Sequence, residues 1–466
     1  MKKEKIFQEE KKVMKKKMIA ALLTAAMAAG SLSGATAFAA DAGTDEKVEM
    51  ADASDVDGTT ITFWHSMGGV NGEAIDTLVK KFNDENEYGI TVDAQYQGEY
   101  DDSLNKLKSA QIGNMGADLV QVYEIGTRFM IDSGWIVPMQ QMIDADSYDV
   151  SEIEPNLAAY YTIDNELYSM PFNSSTPIMY YNKDMFDKAG ITEVPDSLEG
   201  IGEIGQDLLD KGGAGEVMSL GIYGWFFEQF IGKQGLEYAN NGNGRKEAAT
   251  AVAFDENGAA KNILTAWKDL NDKGFAPIVG KGGDAGLADF SAGKSAITLG
   301  STASLKQILQ DVNGKFEVGT AYFPKIKSSD EGGVSIGGAS LWALNNNDPK
   351  KLRATWEFVK FLISPESQAY WNAQTGYFPV TVKAQDEQVF KDNVEKYPQF
   401  QTAIDQLHDS SADYVGALLS VFPEARATVE SEIESMLNGK EDVDTAVNNM
   451  ADSINKSIEE YNLVNE

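Results

Sequence analysis

Apolar and polar positions change period repeatedly along this chain, and each change marks an element. Residues 59–64 (TTITFW) form a β-rich run. Ile75, Leu78, Val79 and Phe82 then recur at i, i+3, i+4 and i+7, which predicts one apolar helix face. Ile90, Val92, Ala94 and Tyr96 alternate as a strand does, and Leu104, Leu107 and Ala110 return to helical spacing. Residues 118–123 (DLVQVY) are a further β-run ending at Glu124. Strand, helix, strand, helix, strand predicts parallel pairing with helical crossovers. In such sheets ligands sit beyond the carboxyl ends of the strands, here His65-Ser66-Met67, residues 97–100 and Glu124-Ile125-Gly126.

A second α/β section begins in MPFNSSTPIMYYNKDMFDKAG, residues 170–190. Proline fixes its own φ and keeps the preceding residue out of the helical region, so Pro171 and Pro177 hold Asn173-Ser174-Ser175-Thr176 extended. Four short hydroxyl and amide side chains in an extended run make either a polar loop or a hydrogen-bonding crossing between two lobes. Lys183-Asp184 reads as a helix start. Helical spacing then covers 195–209, an aromatic cluster (Trp225-Phe226-Phe227) falls within 219–230, and 240–244 reads as a loop. A helix over 263–270 follows, then strands at 295–299, 316–323 and 335–344. An amphipathic helix over 352–363 stops at Ser364-Pro365, residues 375–379 form a turn, and the remainder is mostly helical.

Composition adds an address. Eight lysines precede Met18, an apolar run covers 18–29, and small residues end in Ala37-Phe38-Ala39. That is the pattern of a cleaved signal peptide over 1–39, with an apolar run too short to span a bilayer. Ala35 stands where Leu32-Ser33-Gly34 would precede a lipoprotein's acylated cysteine, so the chain reads as secreted, not lipid-anchored. Residues 40–58 are acidic and aperiodic, a flexible linker by composition. The chain has no cysteine, which excludes disulfides and thiol chemistry. Its net charge of −33 becomes −38 once the eight lysines and three glutamates of the first 39 residues are removed. Such a surface repels nucleic acid and anionic lipid, and an anionic ligand needs local donors. The remaining length predicts two domains.

Catalytic patterns find little support. The chain has two histidines, His65 and His408, far apart in sequence. A zinc cluster or a Cys/His pair therefore has no material. Gly200, Gly202 and Gly205 spell G-x-G-x-x-G, but Pro195-Asp196-Ser197 before them reads as a helix start, not a strand, so a nucleotide loop is not indicated. His65 fits a structural or binding role at a strand end better than a lone acid/base.

Five blocks carry a resemblance: FWHSM (63–67), QVYEIGT (121–127), PFNSSTPIMYYNKDMFDKAG (171–190), GGASLW (337–342) and TGYFP (375–379). They resemble the extracytoplasmic solute-binding proteins (family 1) of ABC importers, and within these most closely the members that capture glycerol-3-phosphate. The resemblance implies an α/β, periplasmic-binding-protein-like fold of two α/β lobes with a hinge and an interlobe ligand cleft. Lobe one would comprise 59–172 plus 336–376, and lobe two 173–335 plus 377–466, with crossings near 170–175, 333–337 and 375–379. It implies ligand contacts at Tyr100, Glu124, Ser175, Ser301, Gly338, Tyr377 and Arg426. Trp225, with Trp64, Tyr96 or Phe226, would supply an aromatic wall.

Taken singly, Arg426 would pass for a surface helix residue and Glu124 for a solvated carboxylate; together they match one pattern. A phosphate monoester wants a charge-assisted fork and neutral donors, which Arg426, Ser175, Ser301, Tyr377 and the Gly338 N–H can offer. Arg426 also opens the helix over 423–437, whose free N–H groups favour anions. Glu124 repels phosphate and is expected at the far end, accepting from glycerol hydroxyls. Residues 196–198 lack a tryptophan typical of these relatives, and the altered wall leaves room for a glycerophosphodiester. The resemblance thus implies an exported, monomeric, non-enzymatic receptor at the periplasmic or extracellular face, working with a membrane permease and its ATPase. It implies no cofactor, no metal and no nucleic acid. The alternatives are the same fold holding a neutral oligosaccharide or polyol, and an exported hydrolase.

Overall fold

The computed structural model describes residues 48–465 apart from 114–115 and 411–413. The signal peptide expected over 1–39, and the first part of the linker, lie outside the described residues. Among the described residues twelve strands appear, in the order β1 (Thr60–His65), β2 (Thr91–Tyr96), β3 (Leu119–Tyr123), β4 (Ile136–Val137), β5 (Thr162–Ile163), β6 (Glu166–Leu167), β7 (Met170–Ser175), β8 (Pro177–Asn182), β9 (Glu216–Ser219), β10 (Ser295–Ser301), β11 (Val318–Tyr322) and β12 (Gly337–Leu344). The first sheet runs β2-β1-β3-β12-β4, with β7 also paired to β12; the second runs β11-β8-β10-β9. β1 lies parallel to both β2 and β3, as the strand–helix–strand reading requires. The helix Gly69–Glu85 that links β1 to β2 buries Ile75, Leu78, Val79 and Phe82, the four positions of the i, i+3, i+4, i+7 face.

Each sheet anchors an α/β lobe, and two large apolar cores hold them, one of which reaches from the second sheet to Val122 of β3 and Trp342 of β12. Phe226, Phe230, Trp267 and Phe323 sit in that one, and Phe63, Trp356, Phe358 and Trp371 in the other. The chain passes from the first sheet to the second at Thr176. Ser175 still pairs with Gly337 in β12, whereas Pro177 pairs with Ser301 in β10. Residues 173–175 therefore belong to the first sheet, three residues beyond the 172/173 boundary expected from sequence. Main-chain pairing with β12 holds them there. Pro171 lacks a donor, and the register of the β7–β12 pair shifts where it faces Ser340.

The linker reading fails for residues 48–58. Val56 is fully buried, Met50 and Ala51 pack on the first core, the Ala51 N–H donates to the Pro349 carbonyl, and Arg353 donates back to the Ala51 carbonyl. A composition of small and acidic residues hid this, because two apolar side chains and main-chain hydrogen bonds suffice to dock it. The loop expected at 240–244 is instead a tight left-handed turn. Asn241, Gly242 and Asn243 all have positive φ, a conformation asparagine and glycine enter most readily. The 200–205 glycines lie inside the helix Leu198–Asp207, whose N-cap Ser197 accepts from the Gly200 N–H; this is the helix start read from Pro195-Asp196-Ser197.

Helix caps are strong where the sequence marks them. Asp348 accepts from the Lys350 and Lys351 N–H groups at 3.0 and 3.2 Å, ahead of Pro349. Asp348→Ala should cost about 1 kcal/mol of folding free energy, read as a lowered urea midpoint with an unchanged slope. Among the described residues no helix is long and apolar enough to cross a membrane.

Candidate functional site: an ion-paired cleft between the lobes

A cleft of about 830 Å³ opens at the carboxyl ends of β1, β2 and β3, and its lining takes in Tyr100, Glu124, Ser175, Trp225, Ser301, Gly338, Tyr377 and Arg426. All eight residues singled out from sequence therefore reach one cavity, from segments up to 326 positions apart. Ser66, Tyr96, Tyr223, Asp284 and Gln307 line it too. Trp64 does not join the wall: the pleat turns it away from the cleft, and its indole N–H donates to Gln95. His65 is 3% exposed and its Nδ1 accepts from the Met67 N–H, so it acts as a structural brace at the strand end. Burial lowers its pKa and outweighs Asp76 nearby, which favours the neutral ring.

Arg426 is the fifth residue of the helix Phe422–Leu437 and is 7% exposed. Its Nε donates to Glu228 Oε1 at 2.8 Å and its Nη2 to Glu228 Oε2 at 2.9 Å, a bidentate fork. Nη2 also donates to Glu124 Oε1 at 2.8 Å. The separation expected from sequence, with Glu124 at one end of the ligand and Arg426 at the other, is thus overturned. The two side chains touch, because the turn after β3 and the start of this helix meet across the cleft floor. Burial opposes the charge on Arg426, but Glu228 and then Glu124 more than offset it, holding the guanidinium well protonated. Burial pushes the Glu228 carboxyl up, against the pull of Arg426. Gly224 makes room for this packing, since a Cβ there would stand 2.3 Å from Arg426 Cγ. Nη1 has no hydrogen bond among the described residues, so its two N–H groups remain for a ligand.

A relay of buried amides orients the tyrosines. The Ser66 N–H donates to Gln121 Oε1 (2.8 Å), Gln121 Nε2 donates to Asn173 Oδ1 (2.7 Å), and Asn173 Nδ2 donates to the Tyr100 hydroxyl (2.9 Å). Tyr100 also stacks on Tyr123 with centroids 5.3 Å apart, and Tyr377 stacks on Trp371 at 5.5 Å. Burial raises the pKa of Tyr100 far above that of a free phenol, so it stays a neutral donor. On the opposite side the Ser301 hydroxyl accepts from the Ala303 N–H and keeps its own proton to donate. Ser66 Oγ and Trp225 Nε1 are buried without a partner among the described residues, two polar atoms at the cleft wall with capacity to spare.

Glu228 is the main residue that sequence reasoning missed. It follows Trp225 by three positions in the helix Gly224–Lys233, on the aromatic cluster itself. A single carboxylate beside buried aromatics was the available signal. Among the described lining residues, Glu99, Glu124, Asp284 and Asp311 are acidic and Arg426 is the sole cation.

This geometry has known counterparts. Residues 77–402 match the bacterial extracellular solute-binding protein family. The sn-glycerol-3-phosphate-binding periplasmic protein UgpB of Salmonella typhimurium is 33% identical over 415 residues, which cover 86% of this chain and 93% of that protein. The crystal structure of UgpB from Mycobacterium tuberculosis in complex with glycerophosphocholine aligns with a TM-score of 0.74 at 22% identity, over 87% of this chain and 99% of that one. The GacH receptor of Streptomyces glaucescens, solved unliganded and with acarbose, aligns with a TM-score of 0.71 at 21% identity, over 86% and 98%. By family match, identity over most of its length and two-lobed architecture, the chain belongs to the bacterial extracellular solute-binding proteins.

Proposed function

We propose that this protein captures glycerol-3-phosphate or a glycerophosphodiester outside the cytoplasmic membrane and hands it to the permease of an ABC importer powered by its own ATPase. The observation that carries the reading is the convergence of Arg426, with two unengaged Nη1 hydrogens, and the neutral donors Tyr100, Ser175, Ser301 and Tyr377 on one cleft. The similarity to proteins named for glycerol-3-phosphate supports it as well. On this reading the two lobes, bounded as expected from sequence except that 173–175 stay with the first sheet, close by rotation about Thr176 and the neighbouring crossings. Capture is binding without turnover.

The acidic lining bears on which ester binds best. A phosphate monoester near neutrality approaches two negative charges, while a diester carries one and a choline or ethanolamine head adds a positive charge. Against four carboxylates and one guanidinium, the diester meets the weaker repulsion. The same excess of acceptors suits hydroxyl-rich neutral ligands, which keeps an oligosaccharide or polyol as the second reading; the GacH receptor binds acarbose in a related fold. A thermal-shift series on the purified protein discriminates the two. Glycerol-3-phosphate and glycerophosphocholine should each raise the melting temperature, with a ligand at a hundredfold excess over Kd adding about 2.7 kcal/mol. A shift with maltose or ribitol and none with either phosphate would establish the second reading instead.

A further inference from the structure

Two buried carboxylates share one guanidinium at the cleft floor, so the cluster of Glu124, Glu228 and Arg426 carries a surplus negative charge before any ligand arrives. The two carboxylates are placed differently. Glu124 lines the ligand cleft. Glu228 does not; it faces a separate chamber of about 400 Å³ behind the Arg426 wall, lined also by Glu124, Tyr160, Tyr238 and Arg245. An anionic ligand on Nη1 places a third negative charge around one buried cation, and such clusters neutralise by binding a proton.

We propose that Glu228 is the charge-compensating positioning residue of this receptor, taking up a proton from the rear chamber when an anionic ligand reaches Arg426. The inference rests on the phosphate-ester reading above. Glu228 never touches the ligand; it acts through the fork it makes with Arg426. Protonation leaves one of its oxygens free to keep accepting from the guanidinium, so Arg426 stays in place while the surplus charge disappears.

The surroundings of Glu228 favour it as the proton site. From the helix Phe422–Leu437 it faces Arg426 and Glu430, and from the turn after β3 it faces Glu124. Tyr160, Tyr223 and Tyr238 approach it as neutral phenols, each with a pKa raised by burial. Arg245, across the chamber, spends its hydrogen bonds on the carbonyls of Gly416, Tyr160 and Val415, not on a carboxylate. Glu237 and Lys246 line the same chamber with opposite charges. The Tyr238 hydroxyl is buried without a partner among the described residues. The carboxyl is already displaced upward by burial, and an added anion displaces it further in the same direction.

The sign of the effect follows from this. Between the free and the ligand-bound pKa of Glu228, binding takes up a proton, so affinity strengthens as pH falls through that window and levels off on either side. Isothermal titration of glycerophosphocholine into the full protein tests it, because that phosphodiester does not itself titrate between pH 5 and 8. Runs in two buffers of different ionisation enthalpy should report uptake of up to about one proton per ligand, with Kd rising up to about tenfold per pH unit inside the window. Glu228→Gln, which keeps an acceptor on Arg426, should bind with no proton uptake, with a flat pH profile, and at least as tightly at pH 7.5. Glycerophosphocholine binding to the unaltered protein without proton uptake overturns the inference while leaving the receptor reading intact. Uptake that persists in Glu228→Gln overturns the assignment to this residue. Absence of binding by both glycerophosphocholine and glycerol-3-phosphate overturns the receptor reading, and the inference with it.

Discussion

Arg426→Ala should abolish phosphate-ester binding and also destabilise the fold by about 3–5 kcal/mol at neutral pH, the range for removing one partner of a buried ion pair. The loss is large because Arg426 serves two carboxylates. Without it, Glu124 at 5% exposure and Glu228 beside it lose their cation, and each N–H withdrawn leaves a buried acceptor without its partner. The variant should also invert the usual effect of acid. Burial already raises the Glu228 carboxyl, and removing Arg426, which pulls it down, raises it further, so the penalty is full at neutral pH and shrinks as pH falls toward the unfolded range near 4.3. Urea unfolding at pH 7.5 and pH 5 measures this: the midpoint of Arg426→Ala should rise relative to the unaltered protein on acidification. A constant difference between the two proteins at both pH values would show that the ion cluster does not govern the loss. Arg426→Lys should recover part of the stability but little of the binding, since an ammonium cannot span both Glu228 oxygens and still present a free pair of N–H groups.

The physical reasons for what sequence revealed are uneven. The three parallel strands and the Gly69–Glu85 helix were legible because burial on one face imposes a period, and Ile75, Leu78, Val79 and Phe82 keep it without exception. The Asn173 to Thr176 run was legible as extended because two prolines flank it, and as a crossing only through the resemblance; its complete burial escaped because four short polar side chains carry no apolar signal. The cleft's membership came from the resemblance, each residue type matching at its position. What escaped was pairing. Nothing in the local pattern of WFFEQF tells which distant cation Glu228 will meet, since the partner lies 198 positions away. For the same reason Arg426 and Glu124 were set at opposite ends of a ligand when they lie in contact. Residues 48–58 escaped because docking there depends on Val56 and a few main-chain hydrogen bonds, too little to leave a period.

Gly338→Ala should be the second most damaging single change, lowering folding free energy by about 2–4 kcal/mol from backbone strain and overpacking together. Gly338 has φ +91, outside the range that L side chains adopt readily, and a Cβ there would stand 2.0 Å from the Asn173 carbonyl oxygen. The obstructing atom is backbone, so no rotamer change relieves it; β7 and β12 must separate where Ser174 pairs with Gly338. Asn173 moves with that strand, and its amide is the link that orients Tyr100. Ligand affinity should therefore fall as well, although the new methyl removes no hydrogen-bonding group. Gly190→Ala provides the comparison. Its φ is +75 but nothing lies within 4 Å of the added Cβ, so it isolates the conformational cost, about 1 kcal/mol. If the two variants lose the same stability in urea unfolding, the close approach at Asn173 contributes nothing. A larger loss at Gly338, accompanied by weakened glycerophosphocholine binding that Gly190→Ala does not show, would tie the β7–β12 contact to the geometry of the cleft.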